Sequence, residues 1–288
     1  MRELRTSDGR TLEWYSQGPE AGPLVVYSHG TPSHSRLVGR LADELLRRGA
    51  RVVGISRPGY RTSTRWPDRC VADVADDVKA LLTELGRTEF CSLGWSGGGP
   101  HALAVGALVV GCTRVVTLAG VAPFDSLGDS WTKGMGEENV AEFGLSVQGE
   151  EALRAMLDPM TAVLADLSAD VLLAGGMGDL LNDEDVRVLK QPNEAEFLAS
   201  SLRLALEMGN DGYVDDDLAL VKAWGFSLSD LKVPIDLWQG DSDRMVPHSH
   251  AIALAAAIPG ANLHVLPGDG HISLGSNQAG PIADSILA

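Results

Sequence analysis

The stretch that decides the fold is FCSLGWSGGGPHAL, residues 90–103. An apolar run that ends at Trp95 predicts a buried strand, and the small residues after it predict a helix. Glycines on both sides of Ser96 let the backbone turn sharply between these elements and hold the serine in a strained, exposed conformation. A serine in this position is either a cap of the helix or a nucleophile, and its partner residues must decide between the two.

Strands and helices alternate on both sides of this turn. Upstream, PLVVYSHG (23–30) and RVVGIS (51–56) are predicted buried strands, joined by an amphipathic helix over residues 36–49. Downstream, RVVTLAG (114–120) is a further strand. Strands joined by helical crossovers form a parallel sheet covered by helices on both faces. The predicted class is therefore α/β, with a mostly parallel central sheet.

The alternation stops after Gly120 and resumes with PIDLWQG, residues 234–240. The intervening sequence is helical in character and contains no strand-like run. We predict one core domain formed by residues 1–122 and 226–288, interrupted by an inserted helical lid over residues 123–225. In open parallel sheets, ligands bind at the carboxyl ends of the strands, so functional residues are expected in the loops that follow the apolar runs.

Composition narrows the possible partners. The 288 residues are 44% hydrophobic and carry a net charge of −16, which supplies a large core but disfavours nucleic acid as a partner. No apolar run approaches the roughly 20 residues of a membrane span, and the first residues lack the apolar segment of a signal peptide. We expect a soluble, cytoplasmic monomer or homodimer. The three cysteines show no metal-ligand spacing, so no metal site is expected.

Two further loops carry the partners that a serine nucleophile needs. Asp243 follows the predicted strand IDLW, and His271 follows the predicted strand NLHVL. A histidine base accepts the serine proton, and a carboxylate orients that histidine. The chain order is Ser, Asp, His. Asp241 and Asp125 are alternative acids, but the spacing of GDSDRMVP favours Asp243.

With these residues, the chain resembles α/β-hydrolase fold enzymes, in particular serine esterases and proline iminopeptidases. Five motifs carry the resemblance, and together they extend over nearly the whole chain apart from the lid: SHGTPS (28–33), RPGYRTS (57–63), GWSGGG (94–99), GDSDRMVP (240–247) and GDGHIS (268–273).

The resemblance also implies roles for residues outside the triad. In the family, an oxyanion hole is formed by two backbone N–H groups, which here belong to Thr31 and Gly97. His29 matches a histidine that supports the oxyanion turn without catalysing. Arg61 stands where related sequences usually have glycine, which puts the conformation of that loop in doubt.

The implied reaction is acyl transfer without a cofactor, in which His271 takes the proton of Ser96 as the serine attacks a carbonyl. A small-molecule ester with a small to medium acyl group is the leading substrate class, with an amide as an alternative. Proline iminopeptidases usually carry HGGPG where this chain has HGTPS, and they hold a substrate amine with lid carboxylates. The acidic stretches GEEN (136–139) and DDD (215–217) would supply such carboxylates, although a solvated acidic face is the more common explanation. A binding or biosynthetic protein on the same fold is the third alternative.

Apolar and aromatic residues near the predicted strand ends and in the lid are candidates for substrate binding. Methionine and aromatic side chains in a lid can form an apolar ceiling over a pocket, that is, a wall that adapts to ligands of different shape. Alternatively, they pack the lid onto the core. The candidates are Trp95, His34, Trp131, Met135 and Trp224. Phe143, Met156, Met160 and Met177 belong to the same predicted ceiling.

Overall fold

A computed structural model describes all 288 residues and contains one eight-stranded sheet. The spatial order of the strands is β1-β2-β4-β3-β5-β6-β7-β8, and all neighbours from β4 to β8 in this order are parallel. The strands are β1 (Arg2–Arg5), β2 (Thr11–Gln17), β3 (Leu24–Ser28), β4 (Arg51–Ile55), β5 (Phe90–Trp95), β6 (Cys112–Leu118), β7 (Ile235–Gly240) and β8 (Asn262–Leu266). The prediction of an α/β fold with a mostly parallel sheet is confirmed.

Five of the thirteen helices pack against the sheet and cover both of its faces. Alternate residues of β3 belong to two separate apolar cores, with Val26 in one and Val25 in the other. Every residue of β3 and β4 is buried, as expected for central parallel strands between two helical layers. The helices are α1 (Gly39–Arg47), α2 (Val74–Leu85), α3 (Gly98–Leu108), α11 (Ser249–Ala257) and α13 (Ala279–Leu287), and a short helix α12 (Ser273–Asn277) precedes α13.

The chain between β6 and β7 contains only helical elements. We call the segment from α4 to α10 the helical insertion. Its α-helices are α4 (Phe124–Leu127), α5 (Glu137–Ser146), α6 (Glu150–Ala165), α7 (Ala169–Leu173), α8 (Asp183–Leu189), α9 (Glu194–Leu206) and α10 (Asp211–Leu220). None of the helices in the structure combines the length and the apolar character that crossing a membrane requires.

The strand order places the carboxyl ends of β3 and β5 side by side. The chain leaves β3 toward β4 on one side, whereas β5 lies on the other side, and Ser28 pairs with Gly94 in the register of β3 and β5. Such a reversal of strand order opens a crevice at the strand ends. The loops that contain Thr31 and Ser96 both begin at this point.

Candidate active site

Ser96 lies on a sharp turn between β5 and α3. Its φ angle is +55°, in the left-handed region that costs energy for a residue with a side chain. The surrounding glycines make this turn possible, since a Cβ at Gly94 would lie 2.3 Å from the Gly98 carbonyl oxygen and a Cβ at Gly98 would lie 2.1 Å from the Ser28 carbonyl oxygen. The Ser96 hydroxyl neither caps the helix nor hydrogen bonds to another residue, and the residue lines a cavity.

His271 and Asp243 form a buried hydrogen-bonded pair. Nδ1 of His271 lies 2.8 Å from Oδ2 of Asp243, so it donates its proton to that carboxylate and leaves Nε2 available as a base. The other carboxylate oxygen, Oδ1, accepts two backbone N–H bonds of 2.8 Å from Met245 and Val246, and Gln239 donates to Oδ2 at 3.1 Å. These bonds fix the carboxylate, and through it the plane of the imidazole.

The two alternative acids lie elsewhere. Asp241 is exposed, and its carboxylate accepts a hydrogen bond of 2.8 Å from the Gly268 N–H. Asp125 is exposed on α4 and makes no hydrogen bond through its side chain. Neither contacts His271, so Asp243 is the acid that the geometry pairs with this histidine.

The pKa of His271 reflects two opposing effects. Burial disfavours the imidazolium, but the charge of Asp243 and its hydrogen bond outweigh burial, and the nearby Asp185 adds to the effect. The net result raises the pKa of His271 above the ordinary 6.5. A raised pKa means that the site stabilises the cation that forms when the histidine accepts a proton.

Two backbone N–H groups beside Ser96 are unpaired. Neither the amide of Thr31 nor that of Gly97 donates a hydrogen bond, and both residues line the same cavity as Ser96 and His271. Gly97 immediately precedes α3, so the positive end of that helix adds to the local potential. This arrangement can stabilise negative charge on an oxygen that develops next to Ser96.

His29 supports the turn that presents Thr31. It is fully buried, its Nδ1 donates to the Gly30 carbonyl at 2.7 Å, and its Nε2 accepts from the Arg57 backbone N–H at 3.2 Å. Burial, together with the neighbouring Arg57 charge, lowers the pKa of His29 well below its usual range. The ring is therefore neutral and serves to bridge two loops.

A buried ion pair fastens the same turn to the helical insertion. Arg57 donates to the carbonyl oxygens of His29, at 2.5 Å, and of Gly30, at 3.1 Å. Its guanidinium also pairs with Asp216 of α10, which is fully buried. Burial alone would raise the pKa of Asp216, but Arg57 and Arg69 outweigh it and hold the pKa well below its usual range. Asp216 is therefore a permanent anion.

Sequence reasoning missed the role of the helical insertion in holding the histidine loop. Asp185 of α8 is fully buried, and its two carboxylate oxygens accept hydrogen bonds from the backbone N–H groups of His271, Ile272 and Ser273 at 3.2, 3.0 and 2.7 Å. No motif surrounds Asp185 in the sequence. It belongs to DED (183–185), and acidic residues are common in the first turn of a helix, so nothing local distinguishes it from a solvated residue.

One cavity of about 250 Å³ joins these groups. The helical insertion supplies most of its apolar wall, and the strand-end loops supply Thr31, Ser96 and His271. The apolar wall includes Phe143, Met160, Leu164, Met177, Leu180, Leu198 and Leu202. Three members of the predicted ceiling, Phe143, Met160 and Met177, are thus at the cavity, whereas Met156 is not among its lining residues.

Of the five residues predicted to bind substrate, the structure places only Trp95 at this cavity. Trp131 and Met135 are buried in the sheet core, where the Trp131 indole donates to the Ala122 carbonyl at 2.8 Å. Trp224 is also in that core and stacks on Phe226. These three side chains pack the insertion onto the core instead of facing a ligand.

His34 also lies outside the cavity lining. It is buried, its Nδ1 accepts the Arg36 backbone N–H at 3.0 Å, and burial with the nearby Arg61 charge lowers its pKa to about 4. Arg61 itself has a φ of +54° and pairs with Glu13 at 3.2 Å, so the loop in which it replaces glycine keeps a left-handed turn.

The acidic stretch 215–217 is buried, so its assignment to a solvated face is wrong. Helix α10 packs against the turn that contains Thr31, and each aspartate lies within the protein. Asp217 lines the cavity together with Glu142, and neither of its carboxylate oxygens has a hydrogen-bond donor. Tyr213 donates to Glu142 at 2.6 Å. Burial raises the pKa of Glu142 to about 7, and burial together with the charge of Glu142 raises the pKa of Asp217 well above its usual range.

Comparison with known proteins agrees with this fold. The family model described as alpha/beta hydrolase fold matches residues 23–140. The chain is 24% identical over 254 residues to AB hydrolase superfamily protein YisY of Bacillus subtilis (strain 168), covering 87% of this chain and 85% of YisY. The chain has the α/β-hydrolase fold, and its sequence is similar to that of proteins of the α/β-hydrolase superfamily.

Solved structures from several bacteria share the fold. An esterase from Exiguobacterium antarcticum aligns with a TM-score of 0.69 at 20% identity, covering 99% of this chain and 97% of the esterase. An enol-lactonase from Burkholderia xenovorans LB400 aligns with a TM-score of 0.69 at 16% identity, covering 99% and 98% of the two chains. At these identities the similarity is one of fold, and activity must be argued from the site.

Proposed function

We propose that the protein is a serine hydrolase that cleaves small to medium carboxylic esters through an acyl-enzyme on Ser96. The observation that carries the proposal is the meeting of three groups at one cavity. These are a strained serine with an unpaired hydroxyl, a histidine held by Asp243, and two unpaired amides at Thr31 and Gly97.

In the first step, Nε2 of His271 takes the proton of the Ser96 hydroxyl while Oγ forms a bond to the carbonyl carbon of the ester. The amides of Thr31 and Gly97 stabilise the resulting oxyanion. The imidazolium is stabilised by Asp243 and returns its proton to the leaving alcohol as the carbon–oxygen bond breaks. An acyl-enzyme on Ser96 remains.

In the second step, His271 takes a proton from water, and the resulting hydroxyl attacks the acyl carbon. Collapse of the second oxyanion breaks the bond to Oγ of Ser96, which regains its proton from His271. The products are a carboxylic acid and the original enzyme, so the sequence needs no cofactor.

Cavity size and lining support the proposed substrate class. A volume of about 250 Å³ with an apolar wall suits a short acyl chain and a small alcohol. The helical insertion contributes most of that wall, and we propose that residues 123–225 act as a substrate-binding lid on a core formed by residues 1–122 and 226–288. One structural relative is named an esterase, which fits the same chemistry.

The test is pre-steady-state hydrolysis of p-nitrophenyl acetate and p-nitrophenyl butyrate by the wild type and by Ser96→Ala. The proposal predicts a burst of p-nitrophenol close to one equivalent, which the variant lacks. Ser92→Ala serves as the matched control, since Ser92 is buried on β5, the strand that precedes Ser96, and donates to the Ala102 carbonyl at 3.1 Å. Equal hydrolysis by the wild type and Ser96→Ala would contradict the proposal.

A second candidate function is cleavage of an amide or ester whose acyl part carries a free amine, as in a proline iminopeptidase. The specific observation that favours it is the position of Asp217 and Glu142 at the cavity, with both oxygens of Asp217 lacking a donor. An ammonium group would supply the missing donors and neutralise the pair.

Proline p-nitroanilide and its N-acetyl derivative separate the two candidates, because acetylation removes the positive charge. The aminopeptidase predicts turnover of the free amine only, with a KM raised at least about tenfold in Asp217→Asn. Asp183→Asn is the matched control, since this carboxylate also belongs to the helical insertion but is exposed and does not line the cavity. Turnover of p-nitrophenyl butyrate without any cleavage of the free-amine anilide would contradict the second candidate.

A further inference from the structure

We infer that Asp185 of the helical insertion is a positioning residue for His271. Through this residue, the insertion contributes to acid–base catalysis. The inference rests on the proposed function, because it assigns to Asp185 the task of holding the general base in place. It adds a residue outside the serine, aspartate and histidine that perform the chemistry.

Asp185 contacts the histidine loop more closely than any other side chain of the insertion. Besides the three backbone bonds described above, its carboxylate accepts a bond of 2.8 Å from the Ser273 hydroxyl. That hydroxyl in turn accepts the Gly270 N–H at 2.7 Å. The loop from Gly270 to Ser273 is therefore organised around one carboxylate.

The loop approaches Asp185 so closely that only glycine fits at one position. A Cβ at Gly270 would lie 2.2 Å from Oδ2 of Asp185 and 2.7 Å from Oδ1 of Asn182. Backbone atoms this near a buried carboxylate cannot shift without breaking several of its bonds. The position of His271 therefore depends on the position of α8.

Asn182 extends the same support to the loop of the acid. Its side-chain oxygen accepts the Asp185 backbone N–H at 2.7 Å, which caps α8, while its amide donates to the carbonyl oxygens of Ser242 and Gly268 at 3.3 and 3.1 Å. Ser242 precedes Asp243, and Gly268 opens the loop of His271. The start of α8 thus spans both loops of the Asp–His pair.

The charge of Asp185 acts on the imidazole as well. No cationic side chain pairs with Asp185, since Arg187 of the same helix pairs with Glu184. The charged groups that face His271 are Asp243 from the loop after β7 and Asp185 from α8, and both raise the pKa of the histidine. Loss of either charge moves that pKa downward.

The experiment compares Asp185→Asn with the wild type and with Asp183→Asn, a matched control on the same helix whose carboxylate is exposed and unpaired. We expect kcat for p-nitrophenyl acetate to fall by about 10-fold to 100-fold in Asp185→Asn, with KM within about twofold of the wild type. The acid limb of the pH profile should move to lower pH. Asp183→Asn should match the wild type in all three quantities.

A second readout does not depend on turnover. An NMR titration of the His271 imidazole gives its pKa directly, and the inference predicts a lower value in Asp185→Asn but not in Asp183→Asn. A folded Asp185→Asn protein with unchanged kcat and unchanged imidazole pKa overturns the inference. If the wild type fails the Ser96 burst test, the proposed function fails, and the titration still decides whether Asp185 governs His271.

Should Asp185→Asn fail to fold, Asn182→Ala tests the same inference, because it removes the side-chain contacts to both loops and keeps the Asp185 charge. The expected result is a lower kcat with an imidazole pKa close to that of the wild type. A folded Asn182→Ala protein with wild-type kcat would then contradict the positioning role of α8.

Discussion

Oδ2 of Asp216 accepts a hydrogen bond of 2.9 Å from Oγ1 of Thr31. The bond joins a helix of the insertion to Thr31, which lines the same cavity as Ser96 and whose backbone amide is unpaired. Arg57 donates to the same Oγ1 at 3.0 Å, so the hydroxyl both donates and accepts. The orientation of the Thr31 amide is therefore tied to a buried ion pair that lies outside the cavity.

Replacement of Thr31 by valine tests this link. Valine keeps the shape of the side chain but removes the hydroxyl, so the turn loses its contacts to Asp216 and Arg57 while these two remain paired. We expect kcat for p-nitrophenyl acetate to fall between about 10-fold and 100-fold with little change in KM. The measurement is steady-state kinetics. Thr31→Ser is the control and should recover most of the activity, whereas equal kcat for both variants would contradict the link.

The pH dependence of kcat/KM should follow His271. Because the pKa of His271 is raised above 6.5 and the base must be neutral, activity should fall as the pH drops through a midpoint above 6.5. In Asp243→Asn the charge that raises this pKa is absent, so the midpoint should move to lower pH, and kcat should decrease by roughly 10⁴-fold. A wild-type midpoint at or below 6.5, or one that Asp243→Asn leaves unchanged, would show that another group controls the reaction.

Stability should depend on pH through Asp217. Its pKa is raised in the folded protein, so the folded state keeps a proton that the unfolded chain releases above its ordinary pKa of 3.8. Stability is therefore lost as the pH rises from that value toward the folded pKa, by up to about 1.4 kcal/mol per pH unit.

Asp217→Asn should remove this loss of stability at higher pH, because asparagine does not ionise. We expect the variant to be more stable than the wild type at pH 7 and the difference to vanish near pH 3, as measured by urea unfolding. Asp183→Asn, at an exposed position, should show no such difference. An Asp217→Asn protein that is less stable than the wild type at pH 7 would mean that the carboxylate has a cationic partner.

Gly97→Ala should impair catalysis through a contact and not through backbone conformation. The φ angle of Gly97 is −55°, which alanine adopts readily, but an added Cβ would lie 2.5 Å from Oγ1 and 2.9 Å from Cβ of Thr31. The turn must move, which displaces one or both amides. We expect a decrease in kcat of about 100-fold with the fold intact by circular dichroism. If the clash is the cause, the double variant Gly97→Ala, Thr31→Gly should be as active as Thr31→Gly alone, which itself lacks the hydroxyl contacts to Asp216 and Arg57.

The sequence predicts the strands and the loops that follow them because both depend on local patterns. Ser96, Asp243 and His271 each follow a strand that the sequence predicts, and the parallel sheet gathers the ends of these strands at one edge. The start of the helical insertion is visible for the same reason, since the strand pattern stops after Gly120.

The support around the site is not predictable from local patterns because its partners are far apart along the chain. Asp216 pairs with Arg57, which lies 159 residues away, and Asp185 bonds to His271, which lies 86 residues away. An acidic run such as 215–217 is usually solvated, and only the packing of α10 against the turn of Thr31 buries it. Trp131 and Met135 are predicted to line the pocket but are buried in the core. An apolar side chain of the insertion can pack in either place, and the local sequence does not distinguish the two.

Covalent labelling of Ser96 tests the central claim most directly. Wild-type protein is mixed with p-nitrophenyl butyrate, quenched in acid within the burst, digested and analysed by mass spectrometry, with Ser96→Ala and Ser92→Ala treated in parallel. The account predicts one butyryl group on the peptide that contains Ser96, present in the wild type and in Ser92→Ala and absent from Ser96→Ala. Steady hydrolysis that Ser96→Ala retains, with no butyryl group on the wild-type peptide, would contradict the account.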